Sequence, residues 1–143
     1  MDEIPTNATL YEYRGETFLR HSGGGTYKRV WVDGPLTHER FPDALEFSSD
    51  PGEPWVMLPT VAFDAGFRRT VFANWHGEPV VVESVIRIGL RRGLVRIAYV
   101  GNHPDQAVAA GLSGDQFNGW SAEVLPSELE EIHVEMSEFA IEK

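Results

Sequence analysis

The chain has 143 residues and no cysteine, so neither disulfides nor thiolate metal sites hold it together, and its length suits one domain with an ordinary apolar core. Twelve basic against twenty-two acidic residues give a net charge of −10, which opposes binding to nucleic acid or anionic lipid and favours a cationic partner. No apolar run reaches the roughly 18 residues of a membrane helix, and Asp2 and Glu3 stand where a signal peptide carries basic residues, so a cytoplasmic monomer is expected.

Residues 1–8 are polar and read as a frayed lead. Thr9 to Tyr13 alternates Leu10 and Glu12 with Tyr11 and Tyr13, the period of a half-buried strand. Arg14-Gly15-Glu16 turns it back into a second strand that includes Phe18. Ser22-Gly23-Gly24-Gly25 is another turn; it lacks the lysine and hydroxyl spacing of a phosphate loop and the helix that would follow one. A third strand runs from Tyr27 to Val32 and stops at Asp33-Gly34-Pro35. Leu36 to Pro54 is a long connection broken by Pro42, Pro51 and Gly52, with one apolar alternation from Ala44 to Phe47. Trp55 to Leu58 is a short strand, and Thr60 to Phe67 fits a strand better than a short helix closed by Gly66.

Phe72 to Val100 is the most regular stretch, three antiparallel strands around turns at His76-Gly77-Glu78 and Arg91-Arg92-Gly93. It echoes the start of the chain. Leu10 to Leu19 aligns with Phe72 to Val81, setting Tyr13 on Trp75, Gly15 on Gly77 and Glu16 on Glu78. With six extra residues in the second copy, Gly25 falls on Gly93, Lys28 on Arg96, Trp31 on Tyr99 and Val32 on Val100. The expectation is an internal repeat of a three-strand unit, about 9–34 and 71–102, within a single domain.

Pro104 to Gly111 carries the helix signals: Asn102 or His103 as cap, Pro104 in the first turn, Asp105 at the positive end of the dipole and Gly111 as the stop. Trp120, Ala122 and Val124 then share a strand face. Ser127 and Glu130 resemble a capping box for one helical turn. Ile132, Val134 and Met136 alternate with His133, Glu135 and Ser137, and Phe139 and Ile141 continue only after a one-residue shift, which predicts a bulge near Ser137 to Glu138. The fold expected is a β-rich α+β domain of eight to ten mostly antiparallel strands, as a sheet or partly open barrel, with one short helix.

No catalytic or metal pattern emerges. The histidines at 21, 38, 76, 103 and 133 do not fall at ligand spacing, and no serine lies in a nucleophile motif, so no cofactor and no catalysis are expected. The seven aromatics Tyr11, Tyr13, Trp31, Trp55, Trp75, Tyr99 and Trp120 are assigned to the core. Tyr13 and Trp75, just before their turns, are also candidate interface anchors together with His76. Charge is lopsided. Arg68, Arg69, Arg87, Arg91, Arg92 and Arg96 cluster at the central strands, while seven glutamates lie from Glu123 onward against Lys143 alone. On a terminal strand Glu131, His133 and Glu135 share an outer face, which with Glu130 forms a candidate surface for a basic cleft, unless the arginines neutralise it internally.

Gly101, Pro104-Asp105, Ala107, Gly111-Leu112, Trp120 and Val124-Leu125-Pro126-Ser127-Glu128-Leu129, with the opening Tyr13-Arg14-Gly15-Glu16-Thr17-Phe18, resemble the texture of small acidic bacterial immunity proteins. The resemblance implies a non-catalytic antidote that binds a cognate protein toxin and plugs a basic active-site cleft. It transfers no contact residue. The competing expectation is a small-molecule-binding or enzymatic β-barrel with its cleft between the two repeats.

Overall fold

A computed structural model describes residues 4–141. Half of the described residues are strand. The described residues form eleven strands and one α-helix, one strand more than the upper expectation, and no helix among them is long and apolar enough to cross a membrane. The chain divides into two compact units. The N-terminal unit is Ala8–Arg68 joined by residues from Ser137 onward, and the C-terminal unit is Arg69–Met136 joined by the described residues before Ala8.

In the N-terminal unit, β1 (Ala8–Tyr13), β2 (Glu16–Gly23) and β3 (Tyr27–Trp31) form a meander, and β4 (Glu46–Phe47) and β5 (Trp55–Pro59) a hairpin that adds to β3. A 3-10 turn over Thr60–Ala62 follows, where a strand was expected, and the start of β6 (Ala65–Trp75) lies beside β1. In the C-terminal unit the end of β6 takes the place of β1. It is followed by β7 (Glu78–Val85), β8 (Val95–Tyr99), the hairpin of β9 (Ser113–Asp115) and β10 (Gly119–Val124), a 3-10 turn over Pro126–Glu128, and β11 (Glu130–Phe139) beside β6. The repeat is therefore six strands in each copy, twice the three expected. Among the described residues the strand order closes on itself in neither unit, so the expected antiparallel sheet is open and not a closed barrel.

Register ties the copies together residue by residue. Tyr13 pairs with Glu16 across Arg14-Gly15, and Trp75 with Glu78 across His76-Gly77. Positive φ at both central residues of each turn (49° and 84°, 51° and 81°) is type I′ geometry, whose twist matches that of the strands it joins. Each copy also has a bulge at the same place, Arg20 to Ser22 and Val82 to Ser84. Beyond the bulge the pairs are Arg20 with Val30 and Val82 with Ile97, so Val30 corresponds to Ile97 and Trp31 to Ala98. The sequence alignment of the third strand is thus one residue out. The insertion is five residues long, and a one-residue slip exchanges the two faces of a strand.

The cores follow this correspondence. Tyr11, Tyr13, Phe18, Val30, Leu58 and Phe63 are buried in one unit where Ala73, Trp75, Val80, Ile97, Val124 and Leu129 are buried in the other. Each unit fills the space under its connection differently. In the N-terminal unit Phe41 N–H bonds the Thr37 carbonyl in a single turn and buries its ring against Tyr13 and Phe18. In the C-terminal unit α1 (Pro104–Ala110) buries Ala107, with Leu112 just beyond it. His103 is the N-cap, one of the two residues expected there, but its side chain makes no capping bond; the Tyr99 hydroxyl accepts the His103 N–H at 2.9 Å, and Gly111 ends the helix at φ 116°.

The lead is not frayed where it is described. Asn7 N–H bonds the Val82 carbonyl, its side chain accepts the Val71 N–H, and Arg69 reaches the Thr6 carbonyl. Residues 1–3 and 142–143 lie outside the described residues. The capping box expected at Ser127 is shifted by two residues: Glu128 accepts the Leu125 N–H. β11 runs unbroken through Ser137 and Glu138, and its irregular backbone is instead at Glu131, with φ 52°. The parity change was real without a bulge, because Phe139 and Ile141 pack in the core of the N-terminal unit, Phe139 against Gly66 and Tyr11.

Candidate interaction surface

The seven residues singled out from sequence fall into three places. Tyr13 is 2% exposed and its hydroxyl donates to Asp43 at 2.7 Å while accepting the Asp43 N–H at 3.3 Å. Burial, then the bond to the Asp43 carboxylate, pushes its pKa up. Trp75, 6% exposed, stacks on His76 with centroids 3.9 Å apart and abuts Gly111 at the end of α1. Both aromatics pin the connection that crosses their unit. They are core residues in this conformation, so neither offers a surface to a partner.

His76 is exposed at its turn. Its Nδ1 faces the Ala110 carbonyl at 2.9 Å, which can only accept, so Nδ1 carries the hydrogen, and Nε2 lies 4.0 Å from Glu128. These contacts tie the β6–β7 turn to the end of α1.

The remaining four residues are on β11, all exposed. Glu131 accepts from the Asn74 side-chain amide, and His133 stacks on Phe72 at 5.1 Å with its Nε2 3.7 Å from Glu135. Glu131, His133 and Glu135 thus share the face of Asn74 and Phe72, as alternation requires. The opposite face carries Ile132, Val134 and Met136, which are 41%, 44% and 50% exposed. They lie on the side where β6 buries Val71 and Ala73, but overhang the core instead of completing it. Among the described residues β11 pairs only with β6, so its second edge is free to hydrogen-bond.

Internal neutralisation by the central arginines is partial. Arg91 bonds Glu123 at 2.6 Å, Arg96 approaches Glu83 at 3.7 Å, Arg69 bonds the Thr6 carbonyl and Arg68 lies over the Phe139 ring. Glu131 and Glu135 find Asn74 and His133 instead.

Sequence reasoning missed a second surface. In the N-terminal unit Trp31 pairs directly with Trp55 on the face away from the core, with Tyr27 and Arg29 on the same side of β3 and Met57 on that of β5. His21 packs on Trp31 at 4.4 Å, and the Arg29 guanidinium lies 5.0 Å from the Trp55 ring. The signal was present. Val30 and Val32 alternate with Trp31, so a strand that buries both valines must turn the tryptophan outward. Where β3 leaves β2, a cleft of about 510 Å³ opens, lined by Phe18, Leu19, Trp31 and Val32 with Glu16, Asp33 and Arg40 at its polar side.

The fold and these surfaces define a class, a duplicated antiparallel β protein with an acidic free edge on one copy and an aromatic face on the other. Compared with protein-family models, curated proteins and solved structures, the chain matches none.

Proposed function

We propose that the protein is a non-catalytic immunity protein that binds a cognate bacterial toxin and blocks its basic active-site cleft. The observation that carries this is β11, an edge strand exposed along Glu130–Glu138 with carboxylates on one face and half-exposed aliphatics on the other. Such a strand can add to a partner's sheet or lie in its groove, its main chain supplying affinity and its side chains register. The charge of −10 steers it towards a cationic cleft.

The deciding experiment is co-purification with the product of the adjacent gene, and co-expression of the two. The expected result is a one-to-one complex and loss of the neighbour's toxicity; a harmless neighbour, or two proteins that fail to co-elute, removes the basis of the proposal. Reversing Glu130, Glu131 and Glu135 to lysine is expected to slow association by about tenfold or more at low salt and to flatten its salt dependence. Circular dichroism should show the fold retained, since all three side chains are exposed.

A further inference from the structure

The two copies provide an internal control. Positions buried in both are what the fold requires, whereas positions at which the same frame carries different chemistry are free to serve another purpose. The largest such difference lies between the second and third strands. In the C-terminal unit the ladder continues past the bulge through Val82 with Ile97, Val81 with Ala98 and Val80 with Tyr99, and Val100 N–H bonds the Pro79 carbonyl. In the N-terminal unit it stops at Arg20 with Val30. The two rungs that would follow, Leu19 with Trp31 and Phe18 with Val32, are not made, and the 510 Å³ cleft takes their place. Trp31 and Asp33 correspond to Ala98 and Val100, so both the aromatic wall and the acid at the rim are particular to the open copy.

The cleft has the size of a side-chain or small-ligand site. Its one cation is already committed. Arg40 bonds Glu16 at 2.8 Å and the carbonyls of Asp33 and Pro35, and its guanidinium lies over the rings of Phe18 and Phe41. Among the described residues the Asp33 carboxylate has no bonded partner, and Trp31 is 37% exposed. With Glu16, Asp33 and Arg40 at its edge, the cleft keeps one net negative charge beside an indole and the aliphatic walls of Leu19 and Val32. That combination suits a cation on an apolar stem, whose methylenes lie along the walls while its charge meets the ring face and the carboxylate.

We infer that this cleft is a socket for an arginine or lysine side chain presented by a basic protein partner. The identity of the partner rests on the function proposed above; the chemistry of the socket does not. The test is a titration of the isolated protein with n-butylguanidinium and, separately, with neutral n-pentanamide, following the indole N–H signals by nuclear magnetic resonance. The Trp31 signal is expected to shift saturably with the guanidinium and not with the amide, and Asp33→Asn and Trp31→Ala are each expected to weaken binding by about tenfold, read by calorimetry for the variants that lack the Trp31 indole. Trp31→Phe, which keeps an aromatic wall, should restore most of the loss. No saturable shift, or an equal response to the amide, overturns the socket. If the guanidinium binds but Asp33→Asn leaves the affinity of the toxin complex unchanged, the assignment to a partner's side chain is overturned. If the guanidinium binds and no complex with the neighbour forms, the toxin reading fails and the ligand chemistry of the socket stands.

Discussion

The N-terminal and C-terminal units are the same frame filled twice, with more rings in the first and, Trp75 aside, aliphatics in the second. Tyr11, Phe18 and Phe63 occupy the sites of Ala73, Val80 and Leu129, and Phe41 on a single turn does what Ala107 and Leu112 do around α1. Volume lost on the strands of one copy is recovered from its connection. The frame therefore prescribes turns, bulges and parity, and leaves the choice of core residue to whatever fills the space. Outside, the copies have parted further. The N-terminal unit presents the Trp31–Trp55 pair where the C-terminal unit has Ala98 paired with Ser121, and the C-terminal unit carries a longer β7–β8 loop whose Ile88 and Leu90 are exposed.

The strongest blow to this equivalence is struck at matched core sites. Phe63→Ala is expected to cost about 3–5 kcal/mol, and Leu129→Ala about 2–3 kcal/mol because its site is less completely enclosed. Urea unfolding measures both, and a cost below about 0.5 kcal/mol at Leu129 would mean that the two positions are not equivalent. Next comes Tyr13→Phe, expected to cost about 1–2 kcal/mol by leaving Asp43 without its donor. Its pH dependence has a definite sign. Because the folded pKa of Tyr13 is raised, its protonated form contributes stability that is fully present below the unfolded value of about 10 and is lost as pH rises through the folded value. Alkaline unfolding curves of the Phe variant should lack that component.

Smaller effects sharpen the turns. Arg14 and His76 both hold a left-handed backbone, which asparagine tolerates better, so Arg14→Asn should gain about 0.5–1 kcal/mol in thermal melts. His76→Asn should gain nothing, since it gives up the stacking on Trp75 and the bond to Ala110. Least of all, replacing residues 88–92 by two glycines should change stability by under about 1 kcal/mol, because loop length costs little and Arg91–Glu123 is a surface pair. A larger loss would make the loop part of the frame.

What was legible in the sequence was local. Arg14-Gly15 and His76-Gly77 announce themselves because type I′ geometry restricts which residues can occupy the two central positions, and Pro104 with Gly111 bounds α1 for similar reasons. Parity across a gap was not legible. Nothing in the composition of 86–94 says whether five or six residues were inserted, and that single count decides whether Trp31 is compared with Tyr99, half-buried against the core, or with Ala98 on the other face. The same uncertainty about faces put Trp31 and Trp55 in the core, although their pair faces away from it, and added an anchor role for Tyr13 and Trp75, whose core assignment holds. The acidic row on β11 was visible because Glu131, His133 and Glu135 alternate with Ile132, Val134 and Met136 without interruption. The cleft at Trp31 was invisible, because it arises from ladder pairs that do not form.

Phe139 packs on Gly66 so closely that a methyl group there would collide with the ring, and with Ile141 it belongs to the core of the N-terminal unit. A ribosome therefore delivers the first sixty or so residues of that unit well before the piece that finishes it. The early sheet must wait, with Tyr11 and Phe63 incompletely covered, until translation has passed residue 141, whereas every described strand of the C-terminal unit is in hand once Met136 has emerged. The unit whose strands emerge first is completed last, so a chain released early at Met136 is expected to leave the C-terminal unit resistant to protease and the N-terminal one open to cleavage.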